Sequence, residues 1–266
     1  MPQPTSPGDY ADFYRQSIAP DTREAFWLEQ ARAIDWHQAP QQACDYHNPP
    51  FARWFADGQL NLCHNAVDRH LAQRADQPAI IAVSTETNTE RVYTFAQLHE
   101  EVQRMAAVLQ SFGVGKGDRV QIYMPMIAEA AFAMLACVRL GAIHSVVFGG
   151  FASGSLASRI DDAQPKVVIS ADAGSRGGKA IAYKPLLDEA LQLAKHKPAA
   201  VLLVDRGLAP MPLQAGRDHL WSTLRTQPQF SEAKVPCTWL NSSDPSYILY
   251  TSGTTGKPKG VQRDTG

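Results

Sequence analysis

The sequence predicts an α/β protein in which a parallel-strand-rich sheet carries helices on both faces, preceded by a mainly helical, aromatic-rich segment. Three observations predict it. From about residue 78, short apolar runs alternate with helix-period segments, and repeated strand–helix–strand units imply parallel strands between helical layers. Glycine or proline punctuates most of the junctions. Residues 1–75 instead concentrate aromatics, among them Tyr10, Phe13, Trp27, Trp36, Tyr46 and Trp54. Such anchors predict short helices and loops strapped across a larger body. The chain therefore divides at 1–75 and 76–266.

The elements follow in order. Residues 79–83 and 91–93 flank a polar stretch and predict a hairpin. Thr94 and Gln97 make a T-x-x-Q capping box that opens a helix. Leu98, Val102, Met105 and Leu109 mark its apolar face, and Gly113, Gly115 and Gly117 end it. Residues 119–124 read as a strand stopped by Pro125. Residues 127–140 are apolar almost all round, a buried helix closed by Gly141. Residues 143–148 are a buried strand with Gly149-Gly150 as its turn. A helix over 154–163 points Leu156, Ala157, Ile160 and Ala163 inward, and a strand over 166–170 follows. Pro185 suits the first turn of a helix reaching Lys195. Residues 200–204 are the next strand. Residues 206–240 read as a surface excursion with a short helix near 220–224, and residues 246–251 form the last strand.

Composition bounds the function classes. With 266 residues, 44% of them hydrophobic, and a formal charge of −1, the chain has an ordinary globular composition. That charge points to neither nucleic acid nor an anionic membrane as partner. No apolar run approaches the ~18 residues of a membrane span. The opening residues lack the basic and apolar regions of a secretory signal, so a cytoplasmic location is expected. Cys44, Cys63, Cys137 and Cys237 fit neither a zinc spacing nor a disulfide framework. Reduced thiols and no metal site are expected. His64, His70 and His99 stand at no metal spacing. His144, inside an apolar strand, reads as a hydrogen-bonded core histidine.

The chemistry concentrates in YTSGTTGKPKG, from Tyr250 to Gly260. Gly253, Gly256 and Gly260 permit tight backbone and close ligand approach. Thr251, Ser252, Thr254 and Thr255 offer hydroxyl donors, and Lys257 and Lys259 add positive charge. Free N–H groups, hydroxyls and ammonium groups just beyond a parallel strand suit a polyphosphate. The spacing is not that of the G-x-x-x-x-G-K-[ST] loop, because Pro258 follows Lys257 where a hydroxyl is required. A second constellation, residues 171–179, places Arg176 and Lys179 around two glycines. Read alone, it is a surface loop with two solvated cations.

The Tyr250–Gly260 motif resembles the phosphate-binding signature of the adenylate-forming acyl-CoA synthetase superfamily. IHSVVFGGF, residues 143–151, and the aromatic N-terminal segment resemble its acetyl-CoA-synthetase-like branch. Residues 260–266 and the stretch near Tyr14 resemble the members that activate propionate. The resemblance implies the N-terminal part of the adenylate-forming fold. It implies ATP-dependent, AMP-forming joining of propionate to coenzyme A, with ATP, Mg2+ and coenzyme A as cofactors and a short-chain carboxylate as substrate. Acetate is the alternative substrate, and a non-catalytic nucleotide- or CoA-binding module the alternative of another class. It further implies β- and γ-phosphate contacts for Thr251, Ser252, Gly253, Thr254, Thr255, Gly256 and Lys257. Lys259 would be the catalytic lysine of adenylation. Phe148, Gly150, Arg176 and Lys179 would bind coenzyme A. The acyl pocket and a C-terminal domain are expected beyond Gly266, as is the sheet's next strand, which makes the chain a truncated, inactive part of a longer enzyme.

Overall fold

The computed structural model describes residues 7–251 and 258–266. Helices α1 (Pro7–Ile18) and α2 (Arg23–Ala31) open the chain. A hairpin of β1 (Cys44–Asn48) and β2 (Phe51–Trp54) follows, then β3 (Gln59–Leu60), α3 (Leu62–Ala66) and α4 (Leu71–Arg74). The hairpin stands where loops were expected. Its strand β2 is exposed throughout, so no buried alternation announced it. Edge-to-face ring contacts run from Phe13 through Phe26 and Trp27 to Trp54, so these aromatics hold the segment to itself.

The expected hairpin is β4 (Pro78–Ser84) with β5 (Thr89–Thr94). Helix α5 (Phe95–Ser111) begins at Thr94 with both hydrogen bonds of the capping box made. Then come β6 (Arg119–Met124), α6 (Ala128–Leu140), β7 (Ile143–Phe148), α7 (Ser153–Ala163) and β8 (Val167–Ala171). Gly141 ends α6 at φ 70°, a left-handed turn for which glycine has no Cβ penalty. After β8 the chain makes β9 (Ala173–Arg176), β10 (Lys179–Ala182), α8 (Tyr183–Leu193) and β11 (Ala200–Val204). The excursion holds β12 (Asp218–Leu220), α9 (Trp221–Leu224), α10 (Pro228–Ser231) and β13 (Leu240–Asn241) before β14 (Pro245–Thr251) and β15 (Lys259–Asp264).

The main sheet has seven strands in the order β12-β11-β8-β6-β7-β14-β15. All neighbours are parallel except the last pair. Two details depart from expectation. The strand expected beyond Gly266 already lies inside the chain as antiparallel β15, so Lys259 starts a strand. Edge strand β12 replaces part of the irregular excursion; three half-buried residues were too few to read.

Alternation along each central strand divides two cores. Val120, Ile122, Val167, Ile169, Ala200 and Leu202 face α5 and α6. Tyr123, Val168, Val201 and Leu203 face α7 and α8. This period of two between helical layers is what makes the strands read as continuous apolar runs. The N-terminal segment is fastened to the first side by polar contacts. Buried Asn61 donates through Nδ2 to the carbonyls of Val138 and Thr238, both at 2.8 Å. His37 stacks on Trp239 with ring centroids 4.7 Å apart. Arg139 and Asp68 form a two-pronged ion pair, both contacts at 2.9 Å.

His144 differs from its expected role. Its Nδ1 is buried without a hydrogen-bond partner among the described residues, and its ring stacks on Tyr247. Burial pushes its pKa down to about 4 from 6.5. A depressed pKa means the unfolded chain takes the proton first as pH falls. The stability His144 contributes is complete above about pH 6.5 and is lost on descending towards about pH 4, a loss on the order of 2–3 kcal/mol. Urea unfolding of the parent and of His144→Phe across that window checks this. The variant should lose less stability than the parent, and parallel slopes would refute it.

Candidate functional site

Parallel strands of an open sheet place ligands beyond their carboxyl ends. Here β6, β7 and β8 end at Met124, Phe148 and Ala171, on one rim. Strand β14 pairs with β7 through Tyr247–His144 and Ile248–Ser145. Continued along both strands, this register sets Thr251 level with Phe148. Thr251, at the root of the Ser252–Lys257 stretch, thus stands at the same rim as the Phe148–Gly150 turn. Ser252, Gly253, Thr254, Thr255, Gly256 and Lys257 lie outside the described residues. Lys259 pairs across the hairpin with Thr251, so its exposed side chain is rooted at the loop's other end.

A cleft of about 570 Å³ opens on this rim, lined by Ser84, Glu86, Pro125, Phe148, Tyr183 and Arg206 among others. Phe148 is 67% exposed, an apolar ring presented to the cleft rather than packed. The turn behind it is held by Tyr123, whose hydroxyl donates to the Phe151 carbonyl at 3.2 Å and accepts from the Gly150 N–H at 3.4 Å. Gly150 has φ 96°, a conformation that a side chain would strain. Arg159 sits below, its guanidinium 4.7 Å from the Phe151 ring centroid and 5.2 Å from that of Tyr250. Tyr250 donates to Asp162 at 2.6 Å, so α7 grips both the turn and the strand that leads to the loop.

Residues 171–179 are not the loop expected. Strands β9 and β10 pair antiparallel, with Arg176 opposite Lys179. Gly177 and Gly178 supply φ values of 59° and 76°, the two positive angles a tight two-residue hairpin turn requires. The hairpin brings the backbone of Arg176 and the exposed Lys179 to one tip. Near that tip the hairpin is tied to the cleft wall: Glu86 accepts from the Ser175 N–H at 2.6 Å and pairs with Arg206, which also donates to Ser84 at 3.1 Å.

Tyr183, which sequence reasoning passed over, forms the cleft floor. It is 4% exposed, and its hydroxyl lies against both Gly149 and Gly174, where a Cβ at either position would overlap it. Gly149→Ala is expected to push the ring aside, costing about 1–3 kcal/mol as an overpacked core position does. The control Gly154→Ala, which meets open space, should cost far less. Equal melting temperatures for the two variants would refute the contact.

The family described as AMP-binding enzyme matches residues 67–266, and the acetyl-coenzyme A synthetase N-terminus matches residues 10–66. The chain belongs to the AMP-binding enzyme family. It is 59% identical to the propionate–CoA ligase of Escherichia coli K12 over 97% of this chain and 40% of that protein. It is 60% identical to the propionate–CoA ligase of Salmonella typhimurium with the same coverage. Among solved structures, acetoacetyl-CoA synthetase from Streptomyces lividans superposes with a TM-score of 0.84 at 27% identity, covering 97% of this chain and 38% of that one. The chain thus spans about 40% of the length of the curated relatives it matches. No helix among the described residues is long and apolar enough to cross a membrane.

This family member brings the loop root and the Phe148–Gly150 turn to one rim, and Ser175 and Ile181 of the β9–β10 hairpin line the same cleft. They come from chain positions that together span about a hundred residues. The cysteines behave differently. Cys137 is fully buried in apolar surroundings, which pushes its thiol far up. Cys63 and Cys237, 174 positions apart by number, meet beside Asp68. Burial alone would raise the Asp68 carboxyl, but hydrogen bonds from His99 and Arg139 and the charge of Arg139 outweigh it and hold it well below the usual carboxylate range. Sequence spacing could not reveal this group.

Proposed function

We propose that this chain carries the nucleotide- and CoA-facing half of an AMP-forming acyl-CoA ligase acting on propionate. The observation behind this reading is the common rim, where the root of the Thr/Ser/Gly/Lys loop stands level with the Phe148 turn. Relatives named propionate–CoA ligase at 59–60% identity favour propionate over acetate.

ATP would place its β- and γ-phosphates in the loop of Ser252–Lys257, with Thr251 and Lys259 at its two ends. Magnesium bound to the triphosphate would offset its charge. Attack of the carboxylate on the α-phosphorus breaks the bond to pyrophosphate and leaves an acyl adenylate. Charge gathers on the departing pyrophosphate, and fixed hydroxyl, amide and ammonium donors aimed there lower the barrier. Coenzyme A would lay its adenine against the exposed Phe148 ring and the Gly150 backbone, with Arg176 and Lys179 facing its phosphates. The cleft volume lies within the range of small-molecule sites, and its apolar ring and nearby cations fit such a ligand. Thiol attack on the adenylate carbonyl then releases AMP and the thioester. A cytoplasmic location accords with these substrates.

The test is propionate-dependent exchange of labelled pyrophosphate into ATP, in this chain and in a protein extending it to the relatives' full length, with acetate alongside. Exchange in the longer protein with propionate preferred supports the reading. Preference for acetate assigns the alternative substrate, and nucleotide binding without exchange in either protein assigns a non-catalytic binding module.

A further inference from the structure

We propose that Cys63, Asp68 and Cys237 form a binding site for a thiophilic divalent cation such as zinc. The two Sγ atoms and a carboxylate oxygen lie within 4.8 Å of one another. Asp68 Oδ2 is 3.8 Å from Cys63 Sγ and 3.9 Å from Cys237 Sγ. A sulfur ligand at about 2.3 Å and an oxygen at about 2.0 Å around a tetrahedral ion would stand roughly 3.5 Å apart, so each sulfur need close on the carboxylate oxygen by only a few tenths of an ångström, and two sulfurs would stand about 3.8 Å apart. His99 Nε2 is 3.5 Å from Asp68 Oδ1.

Charge supports the same occupant. Arg139 is 3% exposed; its Nη1 donates to Asp68 Oδ2 and lies 3.4 Å from Cys63 Sγ, and its Nη2 donates to Asp68 Oδ1. With both thiols protonated, this carboxylate–guanidinium pair is neutral. A divalent cation that displaces both thiol protons forms two metal–sulfur bonds, releases two protons and leaves the cluster neutral again. Burying the ion therefore adds no net charge to a region where unpaired charge is costly. Arg139 would remain the hydrogen-bond partner that orients the carboxylate, as outer partners do at metal sites. Asp68 and the half-buried Cys237 and His99 give a route in from solvent. A disulfide between the same sulfurs would require an oxidant and would give Asp68 no role, whereas both thiols point at its Oδ2.

The bound ion would tie α3, in the segment matched by the acetyl-coenzyme A synthetase N-terminus, to the 235–240 segment of the AMP-binding part. The test uses the 266-residue chain, reduced and stripped with chelator. Added cadmium should raise a thiolate-to-metal charge-transfer absorption that saturates at one equivalent. Cys237→Ser and Cys63→Ser should each lose about tenfold or more in affinity, and Cys44→Ser should lose none. Because Cys63→Ser fills a fully buried position, a second readout uses the unaltered chain: zinc should slow alkylation of Cys63 and Cys237, mapped by peptide mass, and leave Cys44 unaffected. Equal cadmium absorption in the serine variants overturns the proposal. So does alkylation that zinc leaves unchanged, including the case in which air oxidation instead joins Cys63 to Cys237.

Discussion

Replacing Arg139 with alanine is expected to destabilise the fold by about 3–5 kcal/mol, the cost of breaking a buried ion pair by removing one partner. The guanidinium makes two contacts to Asp68 and donates through Nε to the carbonyl of Val235. Its removal leaves a carboxylate and a buried carbonyl without these donors and opens a cavity on α6. Much of the penalty is the stranded charge rather than the worth of the pair. The double variant Arg139→Met/Asp68→Leu should therefore recover a large part of the loss. Urea denaturation of the parent, Arg139→Met, Asp68→Leu and the double variant measures this. A double variant as unstable as the sum of the singles would mean that packing, not charge, sets the cost.

The second large effect is on chemistry. In a protein extending this chain to its relatives' full length, Lys259→Ala should cut propionate-dependent pyrophosphate exchange by about 10²–10³-fold, the scale of losing one donor aimed at developing negative charge. Coenzyme A affinity should change far less, because Lys259 is rooted opposite Thr251 and not on the β9–β10 hairpin. Lys259→Arg keeps the charge with a different donor geometry and should restore part of the rate. Equal losses in exchange and coenzyme A binding would undo the role assigned to this lysine.

The most legible strands were those that bury both faces: β6, β8 and β11 stood out as apolar runs. Strands β7 and β14 are only partly buried and were read from their apolar and aromatic residues, while α5 announced itself through its capping box and one apolar stripe. What escaped notice had little burial to betray it. Strand β9 reads Ala-Gly-Ser-Arg, without a β-branched or aromatic residue, so only the Gly177-Gly178 pair signalled a hairpin. Strand β15 is exposed along its whole length, so no alternation marked it.

The candidate site divides in the same way. Its loop and its cations were visible as local chemistry. Its walls were not, because they are made by partners far apart in sequence: Glu86 with Arg206 and Tyr183 with Gly149. Local pattern carries no record of such pairs.

The division of the sheet into two cores also sets what light can report about this molecule. All five tryptophans lie away from the α7–α8 side: Trp27, Trp36 and Trp54 in the N-terminal segment, Trp221 in the core facing α5 and α6, and Trp239 against His37. Among the described residues, the opposite core holds only the tyrosines Tyr123 and Tyr183 as aromatic members. Indole fluorescence would follow the docking of the N-terminal segment and the closure of one face while remaining nearly silent about the other. A folding trace recorded by tryptophan emission would thus be half a trace, with the missing half under the Phe148–Gly150 turn and written in tyrosine.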